Sequence, residues 1–254
     1  MTTVQDILDF METVAPVSLK MDWDNVGLSC GSRSQAVTSI LLALDPFEHV
    51  CQEAVDVGAD LLITHHPLIF RPFPMVTDDA AITRGLMNLC RHGISAIGAH
   101  TNLDCAAGGV NDVLAELLGL QNIETIGNEG VLRAGTVDSC SLPEFLSRVK
   151  ATLGTPVLRY TDGGNAVHKV CVGGGGCSGM LFDAVKAGCD TFVTADAKYN
   201  EWWDAYEQGL SLIDAGHFYT ENPVLPVLAQ KLKAAFPEIT VKISEKHHDC
   251  MKFY

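Results

Sequence analysis

Four short stretches of this chain concentrate side chains that can ligate metal ions: Thr64-His65-His66-Pro67, the His100 to Asp104 segment HTNLD, Asp196 after Thr194-Ala195, and His217 to Glu221 in HFYTE. Imidazole and carboxylate donors without thiolate suit zinc, iron, manganese, cobalt or nickel. Neighbours in a strand point to opposite faces, so the His65-His66 pair alone reads equally as one hydrogen-bonded core imidazole and one outward ring. Pro67 changes that balance: it ends ladder pairing directly after the pair and lets both rings swing into one cleft. Two ions ~3.5–4 Å apart with a shared carboxylate would suit such divergent neighbours. His217 and Glu221 are four apart, so one helical turn sets them on the same side. Taken singly, Asp104 and Glu221 could be helix caps or charges at a helix start. A His–carboxylate pair near a strand end in each half of the chain favours metal.

The elements that must position these groups follow from periodicity. Short β-branched runs alternate with amphipathic stretches, the pattern of βαβ units in an α/β protein. Strands are expected at 39–44, 61–64, 94–99, 156–160, 169–172, 191–194, 210–214 and 240–243, and helices at 46–57, 80–91, 110–118, 142–153, 179–187 and 223–235. The N-terminal stretch reads as a helix capped by Thr2 or Thr3, with Val4, Ile7, Leu8 and Met11 on one face. Residues 54–66 align without a gap on residues 184–196, and Gly93–His100 resembles Gly209–Gly216 in the same order. Two matches in order imply an internal duplication, giving two related three-layer α/β halves, 1–125 and 126–254, with the metal site in the cleft between them. Ligands of open α/β sheets bind outside the carboxyl ends of strands, where the histidines and carboxylates fall.

The net charge is -14, which leaves no basic stripe for phosphates and disfavours nucleic acid or an anionic membrane as partner. No apolar run approaches a membrane span, and Asp6 and Asp9 interrupt what would be the core of a signal peptide, so a cytoplasmic location is expected. Nine cysteines without a CxxC pair read as reduced, largely structural thiols. The glycine run Gly173–Gly176 lies between a strand and a helix, where its amides could cradle an anion or its glycines could simply permit a tight turn. His247-His248 read as a solvated segment or rim. Of Trp202-Trp203, one ring is expected in the core and the other at a subunit contact. Trp23 is expected to pack, with Asp24 and Asn25 facing the cleft.

Four motifs in order, Trp23-Asp24-Asn25-Val26-Gly27-Leu28, Thr64-His65-His66-Pro67, Gly98 to Asp104 and Gly216 to Glu221, resemble the Nif-three-like proteins, often labelled GTP cyclohydrolase 1 type 2 homologues. The resemblance spans nearly the whole chain. It implies two α/β domains carrying a dinuclear centre of two divalent metal ions, ligated by His65, His66, Asp104, His217 and Glu221 with Glu221 as the bridge. It also implies a toroidal homohexamer, a trimer of dimers. Family members tend to carry a histidine where this chain has Asn200, which puts any substrate contact or proton relay there in doubt.

Two functions remain open at this stage. One is a metal-dependent hydrolase acting on a small molecule, in which a bridging water is the nucleophile. There His100 or Asp45 would orient the water or move its proton, and Asp24, Asn25 and Asn102 would line the substrate pocket. The other is a non-catalytic metal-binding or delivery protein, or an oligomeric scaffold for protein partners.

Overall fold

All 254 residues are described by the computed structural model of the chain. Along the chain run α1 (Val4–Val14), β1 (Gly27–Cys30), β2 (Ser39–Ala43), α2 (Glu48–Asp56), β3 (Leu61–Thr64), α3 (Ala81–Arg91), β4 (Ser95–Gly98) and α4 (Thr101–Cys105). Then come α5 (Val110–Leu117), β5 (Gln121–Ile126), β6 (Leu132–Cys140), α6 (Leu142–Leu153), β7 (Arg159–Thr161), β8 (Val167–Val172), α7 (Leu181–Lys186) and β9 (Thr191–Thr194). The chain closes with α8 (Tyr199–Glu207), β10 (Ser211–Asp214), α9 (His217–Glu221), α10 (Val224–Ala235) and β11 (Thr240–Ile243). No helix is long and apolar enough to cross a membrane.

The chain divides into two compact units, residues 1–106 with 225–249, and residues 107–224 with 250–254. The boundary expected near residue 125 therefore falls at 106/107, and the first unit reclaims α10 and β11. Both corrections have the same cause, namely which sheet an element covers or joins. In α5, Leu114 and Ala115 pack with Val137, Phe145 and Val170 of the second unit, and β11 pairs in parallel with β2 of the first.

The first unit holds a sheet of order β1-β4-β3-β2-β11, parallel except for the antiparallel edge strand β1. Leu41, Ala43 and Leu62 alternate onto the face covered by α2 and α3 through Val50, Cys51, Ala54, Leu86 and Leu89. Helix α1 starts where Thr3 and Asp6 form a reciprocal capping box, and it buries Val4, Ile7 and Met11.

The second unit holds a sheet of order β5-β6-β8-β9-β10-β7 with parallel β8, β9 and β10 at its centre. Its two faces read directly from strand alternation. Val170, Val172, Val193 and Ile213 meet α5 and α6 through Leu114, Phe145 and Val149. Cys171, Phe192 and Leu212, one residue out of step, meet α7 and α8 through Leu181, Ala184 and Ala205. Three layers result.

The repeat seen in the sequence is a repeat of hydrogen bonds. Gly58 and Gly188 take left-handed φ of 65° and 75° where α2 and α7 end, and Ala59 and Cys189 donate back to Ala54 and Ala184. Next, the Asp60 carboxylate accepts from the amides of Thr38 (2.7 Å) and Ser39 (3.1 Å), and Asp190 accepts from those of His168 (3.0 Å) and Lys169 (2.7 Å). Each aspartate thus ties the start of one parallel strand to the next. Strand registers also correspond, Leu61 opposite Ser95 in one sheet and Thr191 opposite Ser211 in the other.

Candidate metal centre

In the first unit the ladder continues past β3, since the amides of His65 and His66 donate to Ala43 (3.2 Å) and Leu44 (2.9 Å). Pro67 then ends it, and the two rings lie 4.9 Å apart, tilted by 54°. Neighbouring side chains thus escape the strand alternation that would have separated them. Pro67 sits close against Gly98 of β4, where a Cβ would come within 3.0 Å of the proline Cα. His100 joins the pair, and His65, His66 and His100 each offer a ring nitrogen within 4.8 Å of the others'. These three imidazoles form a group that could hold a metal ion.

The groups that orient these rings are oxygen acceptors. The Nδ1 atoms of His65, His66 and His100 lie 2.9 Å from the Ala99 carbonyl, 2.7 Å from an Asp45 oxygen and 2.9 Å from an Asp24 oxygen. A carbonyl can only accept, so His65 Nδ1 donates to Ala99, while its Nε2 lies 3.6 Å from Asp104 Oδ1. Asp104 stands on α4 and is buried. Its carboxylate lies against His65, which comes from the end of the neighbouring strand.

In the second unit β10 leads through Gly216 into the five-residue helix α9. His217 Nε2 lies 3.0 Å from Glu221 Oε2, the same-side placement that the i,i+4 spacing predicts. His217 Nδ1 lies 2.7 Å from Asp196. Burial pushes the His217 pKa down, but the hydrogen bonds that its ring donates to Asp196 and Glu221 outweigh this and raise it to about 10. The same bond to His217 holds the Asp196 carboxyl below its usual range, against burial. Asp196 has a left-handed φ of 55°, uncommon for a residue with a Cβ, so the turn after β9 carries strain where it meets His217.

Three of the four amides of the glycine run are already used, which favours the tight-turn reading over an anion cradle: Gly173 donates to Val193 (3.0 Å), Gly174 to Asn111 Oδ1 (2.7 Å) and Gly175 to Thr220 Oγ1 (3.0 Å). What the run supplies is space. Gly175 has φ 62°, and a Cβ there would stand 2.1 Å from Glu221 Oε1 and 3.0 Å from His217 Nε2. Only glycine lets this backbone lie against the carboxylate.

Asp24 is buried, and its carboxylate accepts from His100, from the Thr101 amide (3.0 Å) and from Thr101 Oγ1 (2.5 Å). Burial pushes the Asp24 carboxyl up, but these hydrogen bonds win and hold it well below the usual carboxylate range. Asn102 is buried as well, its Nδ2 donating to Ala15 at 2.7 Å, and Asn25 Nδ2 donates to Ile69. Asp45 is the anchor of His66. Trp23, expected to pack, is 62% exposed. Trp202 packs against the second-unit core while Trp203 is exposed, and Asn200 is exposed on α8. His247 and His248 sit beyond β11 on a segment that Glu53 of α2 holds, accepting from Glu245 (2.8 Å) and Lys246 (3.2 Å). Sequence reasoning named Asp24, Asp45 and Asp196 but not as the anchors of the rings, and the fourth anchor, the Ala99 carbonyl, is backbone and carries no side-chain signal.

The family model described as Duf34/NIF3 (NGG1p interacting factor 3) matches residues 2–249. The chain belongs to the Duf34/NIF3 family. This Duf34/NIF3 chain is 35% identical to a Clostridium perfringens protein named GTP cyclohydrolase 1 type 2 homolog, over 98% of this chain and 99% of that one. Among solved structures, reduced HcgD from Methanocaldococcus jannaschii is similar with a TM-score of 0.86 and 29% identity, covering 97% of this chain and 98% of HcgD. A Bacillus cereus protein related to NIF3 shares the fold with a TM-score of 0.93 at 24% identity, covering 100% of this chain and 99% of that one.

Proposed function

We propose that this Duf34/NIF3 protein is a metal-dependent hydrolase whose two units each contribute part of one dinuclear centre. His65, His66 and Asp104 come from the first unit and His217 and Glu221 from the second, with Glu221 as bridge. The observation that carries this reading is the common presentation of the imidazoles. In His65, His66, His100 and His217, Nδ1 is fixed to a carbonyl or carboxylate oxygen, which leaves Nε2 as the atom that could ligate. Core histidines need one hydrogen bond each; four rings anchored the same way near the carboxyl ends of parallel strands fit ligation better.

Two divalent ions, of zinc, iron, manganese, cobalt or nickel, would supply Lewis acidity and an acidified water. The chain's own residues do the rest. Asp45 and Asp196 hold His66 and His217 in the ligating orientation. His100, held by Asp24 at Nδ1, would take up or release a proton at Nε2. Gly175 keeps the Glu221 carboxylate in place. A small-molecule substrate, a cytoplasmic setting and assembly as a homohexamer, a trimer of dimers, belong to the same proposal. The exposed aromatic residues Trp203 and Tyr206 of α8, 6.1 Å apart, support a subunit contact.

The test is metal analysis of the purified protein beside Glu221→Ala, followed by hydrolysis assays on phosphoester, amide and nucleobase substrates with the loaded protein. The proposal expects two ions per chain and loss of both in the variant. Two ions retained in Glu221→Ala would overturn the bridge. Full loading with no turnover of any substrate would overturn the hydrolase and favour metal storage or delivery.

A further inference from the structure

Beside the histidine cluster the first unit displays a pair of aromatic rings that no ligation or packing role accounts for. Trp23 and Phe70 are 62% and 43% exposed and meet edge to face at 5.8 Å. Both rings reach His100, at 6.1 Å and 6.0 Å between centroids. The Arg71 guanidinium lies 5.8 Å over the Phe70 ring.

The pair is also held in place. Asn25 Nδ2 donates to the Ile69 carbonyl, tying the loop that carries Trp23 to the loop that carries Phe70. Lys20 Nζ donates to the carbonyls of Met21 (3.2 Å) and Asp24 (3.1 Å), and the Met21 amide donates to Thr101 Oγ1 (3.0 Å). An indole on a mobile loop could fold onto the surface and shed water; this one is kept out by a loop bonded at both ends. Fixed, exposed aromatic rings with a cation stacked at one side are suited to a flat aromatic ligand bearing an anionic group.

We propose that Trp23 and Phe70 form a stacking platform for a planar aromatic ring, with Arg71 taking its anionic substituent, and that the ligand so held is the substrate handled at the His65–His66–His100 cluster. This rests on the hydrolase reading only for the fate of the ligand; the platform itself is tested by binding.

The probes are 2-naphthoate and its puckered counterpart decahydro-2-naphthoate, which share a carboxylate and differ in flatness. The readout is the indole resonances of 15N-tryptophan-labelled, metal-loaded protein, with Trp23 assigned by Trp23→Phe. Saturable shifts of the Trp23 resonance with 2-naphthoate, at least tenfold weaker with the puckered acid, are expected. Phe70→Ala should weaken 2-naphthoate at least fivefold, and Arg71→Ala should weaken it more than it weakens neutral 2-naphthol. Metal content of each variant, measured on the same samples, should be unchanged. Equal affinity for the flat and puckered acids, or shifts confined to Trp202 and Trp203, would overturn the platform while leaving the metal reading intact. A Phe70→Ala or Arg71→Ala variant that changes sedimentation but binds 2-naphthoate as before would make the pair a contact between protein copies, which also overturns it.

Discussion

At neutral pH His217 must lose a proton before it can ligate a metal ion, and the amount of work involved follows from its surroundings. Two carboxylates at 2.7 Å and 3.0 Å raise its pKa to about 10 against the opposing effect of burial. At pH 7.5, some 2.5 units lower, roughly one imidazole in 300 is neutral. Only the neutral ring has a lone pair for the ion, so uptake at this residue releases about one proton per chain, and apparent affinity should rise about tenfold per pH unit between pH 7 and 9. The sign for stability runs the other way. A pKa raised above the unfolded value of 6.5 stabilises the chelator-stripped protein fully below pH ~6.5, and that contribution is lost as pH climbs through about 10. The direct assay is an NMR titration of 15N-histidine-labelled, chelator-stripped protein, with His217 assigned by His217→Asn, followed by calorimetry of metal binding in two buffers of different ionisation enthalpy. An imidazole that titrates near 6.5, or binding heats that do not differ between buffers at pH 7.5, would refute the reasoning.

Three other outcomes follow from contacts described above. Asp24→Asn leaves Thr101 and His100 short of a charged acceptor in a buried setting and should cost about 2–4 kcal/mol in chemical denaturation. In the parent protein the depressed Asp24 carboxyl adds stability above pH ~4 that fades only as pH falls through its lower folded value, so the difference between parent and variant should shrink in strong acid. Gly175→Ala forces a left-handed backbone on alanine, about 1–2 kcal/mol, and drives a Cβ into Glu221, so the melting temperature should fall and metal content should drop with it. Asp60→Ala and Asp190→Ala remove equivalent strand ties in the two units, and each should lower stability by about 1–3 kcal/mol in denaturant titrations.

The parts of this molecule that were legible in its sequence are those where neighbours along the chain decide the outcome. The central parallel strands β3 and β9 are buried on both faces, so Leu61–Thr64 and Thr191–Thr194 read as continuous apolar runs. Helix α6 was bounded by Ser141 and Glu144 at one end and Gly154 at the other, with φ 66°. His217 and Glu221 were paired by helical spacing alone. What was not legible depends on distant partners. Strand β5, Gln121–Ile126, is largely exposed and polar, and β6 buries Arg133, neutralised by Asp112 of α5. Neither looks like a strand by hydrophobicity. The α8 segment was hidden because tryptophans and carboxylates obscured its apolar face. The glycine run stayed open between anion cradle and tight turn because nothing local reveals that Val193, Asn111 and Thr220 accept from three of its amides. His100 was placed near the chemistry, but its grip on Asp24 spans 76 residues and has no local signature.

Because β11 zips onto β2, the first unit joins residues 1–106 to residues 225–249, with residues 107–224 of the second unit spooled out in between. On a ribosome the piece that emerges first must therefore wait. Residues 107–224 can complete their own sheet while β2 still presents an open edge, and that edge is capped only when Thr240–Ile243 clears the exit tunnel. A chain stopped just short of residue 240 would keep every strand of the second sheet and leave β2 of the first as an exposed, sticky border, so truncation there should produce aggregates rather than a merely shortened protein.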